Sequence, residues 1–192
     1  MIKMNRPYWI WGFCVLAAIQ MWVPLSMIAR REATLRKGTA YKFRTRPVDP
    51  YDAFRGRFVR LVFENTDAST TNAAQFTQGQ TVYVMVNVDT NGYAVLGDAT
   101  PERPTQEGDY IRTRVTYWRS STNNQIRVQL PFDRFYMNES DAPEAETQFR
   151  RAGRRKQRAA YALVRVRSGM AVIEDLYIED QPILEFMTKA KD

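Results

Sequence analysis

The sequence predicts a mainly β fold: a single N-terminal transmembrane helix, then an antiparallel β-rich domain with one late helix. Three observations carry this expectation. Tyr8 to Ala29 contains no charged side chain. Several later segments alternate apolar and polar residues with the period of two that a half-buried strand requires. One stretch, from Asp141 to about Arg158, combines an N-terminal capping signal with a run free of strand alternation.

A chain of 192 residues has room for one ordinary domain with its own core. It divides into a short tail (1–7), an apolar anchor (8–29), a charged juxtamembrane neck (30–40) and a single β-rich soluble domain (41–192). At about 1.5 Å per residue the anchor covers the roughly 30 Å hydrocarbon core of a bilayer. Trp9, Trp11, Tyr8 and Trp22 are residues that settle at membrane interfaces. The segment is longer than a signal-peptide core and ends at Ala29 and Arg30 without a clean small-residue cleavage site, which favours a retained anchor over a cleaved signal. Pro24 frees one carbonyl near its distal end, a perturbation that membrane helices tolerate. Gln20 needs a polar partner in hydrocarbon, and Gly12, Ala17 and Ala18 permit close approach of a second helix, so Gly12, Ala17 and Gln20 are the expected helix contact.

The neck Arg30–Ala40 reads as helical or irregular. Strands follow at Thr39–Thr45 and Arg57–Glu64, where Val59, Leu61 and Phe63 form the apolar side. The polar stretch Asn65–Gln80 reads as an exposed excursion. Thr81–Val88 and Tyr93–Leu96 flank the turn Asp89–Gly92 and predict a hairpin, and Asp98–Asp109 reads as a surface loop. Tyr110–Trp118 and Gln125–Leu130 predict two further strands around the polar turn Ser120–Asn124. After the late helix, Tyr161–Arg167 and Ala171–Ile178 flank Ser168 and Gly169, a compact hairpin signal.

Composition removes much chemistry. There is no His, and Cys14 is the only cysteine, so imidazole acid/base catalysis, thiolate catalysis in the soluble domain and the usual zinc ligand sets are closed off. The net charge of +7 is concentrated: Arg150, Arg151, Arg154, Arg155, Lys156 and Arg158 crowd the end of the late helix, where cations suit its negative pole. Arg150, Arg151, Arg154 and Arg155 are the expected electrostatic contact, to an acidic partner or an anionic lipid surface. No nucleic-acid motif accompanies them, which argues against nucleic acid. Two polar clusters are candidate sites: Asp49, Asp52 and Arg55 around Pro50, and Asp133, Arg134 and Glu139. Carboxylates so placed can hold a cation or move a proton if they converge; turn capping at the first cluster, and buried ion-pair staples or plain surface positions beside Phe132, Phe135 and Tyr136 at the second, explain the same residues more simply.

The run Arg55-Gly56-Arg57-Phe58-Val59-Arg60-Leu61-Val62-Phe63 resembles the motif of the GDYXXLXY family of bacterial membrane-anchored proteins. Gly56 and Leu61 match it, Phe58 and Phe63 replace tyrosines, and Arg57 replaces the aspartate. Thr81–Val84, Phe132–Glu139, Gly169–Ile173 and Leu176–Ile178 resemble further family segments. The resemblance implies architecture, membrane attachment and a soluble domain outside the cytoplasmic membrane. Counting Lys and Arg beside the anchor favours the opposite orientation, since Arg30, Arg31, Arg36 and Lys37 follow it. The family resemblance is taken as the stronger guide.

The resulting expectation is a non-enzymatic accessory or structural subunit of a membrane protein complex, anchored in the bacterial cytoplasmic membrane, with no cofactor or metal and an integral membrane protein as partner. The alternatives are a membrane-tethered ligand-binding module and a carboxylate-dependent hydrolase.

Overall fold

The computed structural model describes residues 6–46, 58–118, 124–138, 141, 144–145, 147–149 and 160–189. Helix α1 (Arg6–Lys37) contains the whole apolar segment and does not stop where the charges begin. Strand β1 (Thr39–Arg46) starts two residues after it ends, so the neck continues the helix and Gly38 alone joins helix to strand. Residues Trp9–Lys37 are long and apolar enough to cross a membrane, with a mean hydropathy of 1.8 over the apolar window.

The predicted strand Arg57–Glu64 is split into β2 (Phe58–Arg60) and β3 (Val62–Phe63). Its apolar side is as the alternation indicates: Val59, Leu61 and Phe63 are all buried. What changes is the partner. The chain leaves one ladder at Leu61 and enters another, because β3 pairs with β1 while β2 pairs with β9 (Arg134–Tyr136).

The stretch expected as an exposed excursion is structured. It contains β4 (Asp67–Ser69) and a 3-10 turn, Ala73–Gln75, capped by the Asn72 side chain, which accepts from the Ala74 amide. Ala68, Ala73 and Phe76 are each 1% exposed or less. Their burial overrides the polar composition around them. Strand β4 closes a barrel with β5 (Thr81–Val88), β6 (Ala94–Thr100), β7 (Tyr110–Trp118) and β8 (Gln125–Gln129), in the order β4-β6-β5-β7-β8. The closure includes a parallel pairing, Ser69 opposite Asp98, so the domain is not wholly antiparallel. Strand β6 also runs into the expected loop as far as Thr100. Val82, Val84, Ile111, Val115, Ile126 and Val128 fill the barrel side of alternating positions and are buried.

A second assembly is a five-stranded sheet built on the hairpin β10 (Ala160–Arg167) and β11 (Met170–Ile178); with β12 (Gln181–Pro182) its order is β12-β11-β10-β1-β3. The expected turn is present: Ser168 and Gly169 have φ of 49° and 85°, the left-handed pair that matches the twist of the flanking strands. Sheet and barrel meet through parallel bridges Lys42–Tyr93 and Ile111–Gly169 and share one hydrophobic core.

Of the late helix, Glu144, Ala145 and Thr147–Phe149 are helical, with Ala145 and Phe149 buried four residues apart on one side. The Ala145 amide donates to the Asp141 carbonyl at 2.9 Å. Its expected continuation to Arg158 lies outside the described residues. The chain adds β12 (Gln181–Pro182) and, beyond the late helix that was expected, a further short helix, α2 (Ile183–Lys189). Ile183 and Met187, on one face of α2, are buried in the core.

Candidate functional site

The junction of α1 with the sheet is close-packed. Thr34 is 3% exposed, and its hydroxyl donates back to the Arg30 carbonyl at 3.0 Å. The Gly38 amide donates to the Thr34 carbonyl at 2.8 Å, ending the helix. A Cβ at Gly38 would lie 2.5 Å from that carbonyl oxygen and 3.0 Å from the Val166 carbonyl oxygen, so only glycine lets the backbones approach this closely. Arg165 clamps the same point: it donates to the Gly38 carbonyl at 3.2 Å and to both carboxylate oxygens of Glu174, at 2.6 and 3.2 Å. The direction in which α1 leaves the domain is therefore fixed by packing and hydrogen bonds.

Beside this junction the two family-like segments meet. Phe58, Val59 and Arg60 of β2 lie opposite Tyr136, Phe135 and Arg134 of β9, and the Leu61 amide donates to the Asp133 carbonyl at 2.8 Å. Phe132 seats the preceding residues by packing edge-to-face against Phe43 and Phe63, each with ring centroids 5.2 Å away. Such aromatic contacts add about 0.5–1.5 kcal/mol each beyond area burial.

Between the end of the apolar helix and this wall lies an open groove of about 700 Å³. Met27, Ile28, Arg30 and Arg31 line one side, Pro131–Arg134 and Tyr136 the other, and Met170–Ile173 the floor. Asp133 and Arg134, two of the expected site residues, stand in it together. Their ion pair is long, 3.7 Å, and each side chain is about half exposed, 47% and 49%. An exposed pair of this kind contributes about 0–1 kcal/mol. The Arg134 guanidinium also lies over the Phe58 ring, 5.0 Å from its centroid, which directs it along the groove wall.

A second polar cluster, absent from the sequence expectations, joins sheet and barrel. The buried Tyr161 donates its hydroxyl to Asp180 at 2.7 Å, and Lys42 reaches the same carboxylate oxygen at 3.2 Å. Tyr161 stacks on Tyr177 with centroids 5.2 Å apart and meets Tyr93 edge-on, while Arg44 lies 4.0 Å over the Tyr93 ring. Burial, then the bond to Asp180, pushes the Tyr161 hydroxyl well above the usual tyrosine range. The bonds from Tyr161 and then Lys42 hold Asp180 below the usual carboxylate range. Nearby, burial and Asp109 push Tyr41 up to about 12; its hydroxyl donates to Asp109 at 3.1 Å. As hydrogen-bond donors to Asp109 and Asp180, with the Tyr161–Tyr93 ring contact, the phenols tie sheet to barrel.

Asp49, Asp52, Arg55 and Glu139 lie outside the described residues, as do Arg150, Arg151, Arg154 and Arg155. Gly12 and Gln20 are exposed on α1 and Ala17 is half-exposed; nothing lies within 4 Å of a Cβ built at Gly12. At about 100° per residue the three positions fall within about 140° of the helix circumference. Among the described residues no cluster of three His, Cys, Asp or Glu side chains is placed to hold a metal ion. No curated protein and no solved structure matches the chain. Residues 20–176, from the apolar helix through the β2–β9 ladder to the closing hairpin, match the family model described as GDYXXLXY protein, and the chain belongs to that family.

Proposed function

We propose that this family member is a single-pass accessory subunit of a membrane protein complex, anchored by α1 in the bacterial cytoplasmic membrane with its β domain on the extracytoplasmic side. The role is non-catalytic: the domain is a presented surface. The observation that supports it is the unbroken passage of α1 from an exposed apolar stretch into the sheet, with Gly38 as the only connection. A tethered but independent domain functions on a flexible linker; a domain fixed to its helix transmits the helix's position to whatever it touches.

The helix contact follows from the same geometry. Gln20 and Gly12 face outward in the isolated chain, and a polar amide in hydrocarbon is stabilised by a second helix by about 0.6–2 kcal/mol. Gln20→Leu keeps the helix apolar and removes that contact. Purified gently in detergent, the wild-type chain brings its membrane partner with it, whereas Q20L recovers about three- to thirtyfold less at unchanged membrane content. Recovery unchanged in Q20L, with the chain alone in detergent for both, sinks the complex reading and leaves a solitary anchored domain. The groove beside α1 favours a second reading, a membrane-tethered ligand-binding module.

A further inference from the structure

We propose that the groove between α1 and the β9–β11 wall holds the headgroup of one anionic membrane phospholipid. This rests on the reading of α1 as a membrane anchor. The position of the groove is the first argument. Its α1 side begins with Met27 and Ile28, which are 65% and 66% exposed and continue the apolar surface of the helix, and one half-turn later turns basic with Arg30 and Arg31. That order, apolar then cationic toward the domain, is the order of acyl chain, glycerol and phosphate in a lipid standing beside the helix.

Charge is the second argument. Arg30, Arg31 and Arg134 face the groove with Asp133 as the one carboxylate lining it, three positive charges against one negative, a net of two. Among the described residues neither Arg30 nor Arg31 has an acidic partner, since Glu32 pairs with Arg36. Guanidinium groups match phosphate oxygens in a two-pronged geometry that lysine lacks. Tyr136, 61% exposed on the opposite wall, is a residue type that settles at the headgroup level with its ring toward the chains. The volume is that of an ordinary small-ligand site.

The third argument is rigidity. Both walls are fixed, one by the Thr34–Gly38–Arg165 junction and the other by the β2–β9 ladder and Phe132, so the backbone positions that carry the three arginines are set before a ligand arrives. A preformed site loses less conformational freedom on binding.

The test uses the full chain in lipid nanodiscs containing equal phosphatidylglycerol and phosphatidylcholine, with the lipid that stays bound after mild detergent release counted by native mass spectrometry. Wild type retains phosphatidylglycerol over phosphatidylcholine by about tenfold, the order expected for two uncompensated guanidiniums at an anionic surface. The triple variant R30Q/R31Q/R134Q loses the preference. Met170→Glu, which places a carboxylate on the groove floor without touching the arginines, loses it too and covers the case in which the triple variant misfolds. The variant R150Q/R151Q/R154Q/R155Q keeps it. Inorganic phosphate at millimolar concentration does not compete, because the apolar helix surface contributes. Equal retention of both lipids by wild type, preference surviving in Met170→Glu, or its loss only with the R150Q/R151Q/R154Q/R155Q variant overturns the proposal. If the chain instead fails to float with vesicles and is stripped from them by alkaline carbonate, the anchor reading itself fails, a result separate from an inserted chain without lipid preference.

Discussion

Around Tyr161 one carboxylate oxygen, Oδ1 of Asp180, connects three parts of the molecule: the β11–β12 turn that carries it, β10 through the Tyr161 hydroxyl, and β1 through Lys42. Asp180 is well suited to its place, since it and Glu179 adopt φ of 59° and 53°, a left-handed pair in which Asp is among the better-tolerated residues. Tyr161→Phe keeps the stacking on Tyr177 and removes the bond, so unfolding of the detergent-solubilised chain in urea is expected to show a loss of about 1 kcal/mol. The same phenols set an alkaline limit. In the unfolded chain tyrosine ionises near pH 10, while native Tyr41 holds its proton up to about 12 and Tyr161 is shifted in the same direction. Within that window the unfolded chain binds fewer protons than the native one, so stability is complete below about pH 10 and falls as pH rises through 12. Tyrosinate absorbance followed with circular dichroism checks this: the last phenols to ionise do so together with loss of the β signal. Early ionisation of every tyrosine in a folded chain contradicts it.

The element that governs placement is the α1–β1 junction. Gly38 is required there by proximity, with two carbonyl oxygens within 3.0 Å of its absent Cβ, and neither is the flexible end of a side chain. Gly38→Ala therefore forces the helix away from the sheet, at a cost of about 1–3 kcal/mol. Denaturant titration of the full chain measures the cost, and spin labels on α1 and β10 measure the displacement; an alanine variant of wild-type stability and geometry refutes the close-packing account. A second element shows how a strand error propagates. The two-residue turn at Ser168 and Gly169 pairs Arg167 with Met170, and that register continued without interruption places Tyr161 opposite Leu176. A register shift between Leu163 and Val164 instead sets it opposite Tyr177. The extra residue is what stacks the two tyrosines. Period-two alternation locates the strands and the turn but contains no sign of this shift, which is why the Tyr161 cluster was not legible in the sequence.

For the whole molecule, the proposed anchoring by α1 leaves the side of the membrane that the barrel faces open to direct measurement. With Cys14 replaced by Ser and Gln106, exposed in the β6–β7 connection, replaced by Cys, a thiol reagent that cannot cross the inner membrane is expected to label cells whose outer envelope is permeabilised. Labelling only after the inner membrane is broken reverses the assignment in favour of the Lys and Arg count. The apolar helix, the β5–β6 and β10–β11 hairpins, the buried side of Val59, Leu61 and Phe63, and the family itself were all legible in the sequence, because each depends on local periodicity, turn chemistry or a contiguous motif. Closure of the barrel by β4 was not. Asp67–Ser69 is short and polar, and it becomes a strand because barrel closure supplies partners on both sides, a reward that appears only once β6 and β8 are in place. The meeting of Phe58–Arg60 with Arg134–Tyr136 is of the same kind, since no local rule relates segments so far apart in the chain. The groove follows from both. Its charges were visible as isolated arginines, but that Arg30, Arg31 and Arg134 line one groove was decided by the packing of α1 onto the sheet and of Phe132 into the core. Local sequence determined which segments could be helix, strand or turn; tertiary packing decided which of them meet, because burial and hydrogen-bond completion reward contacts between residues the chain itself keeps apart.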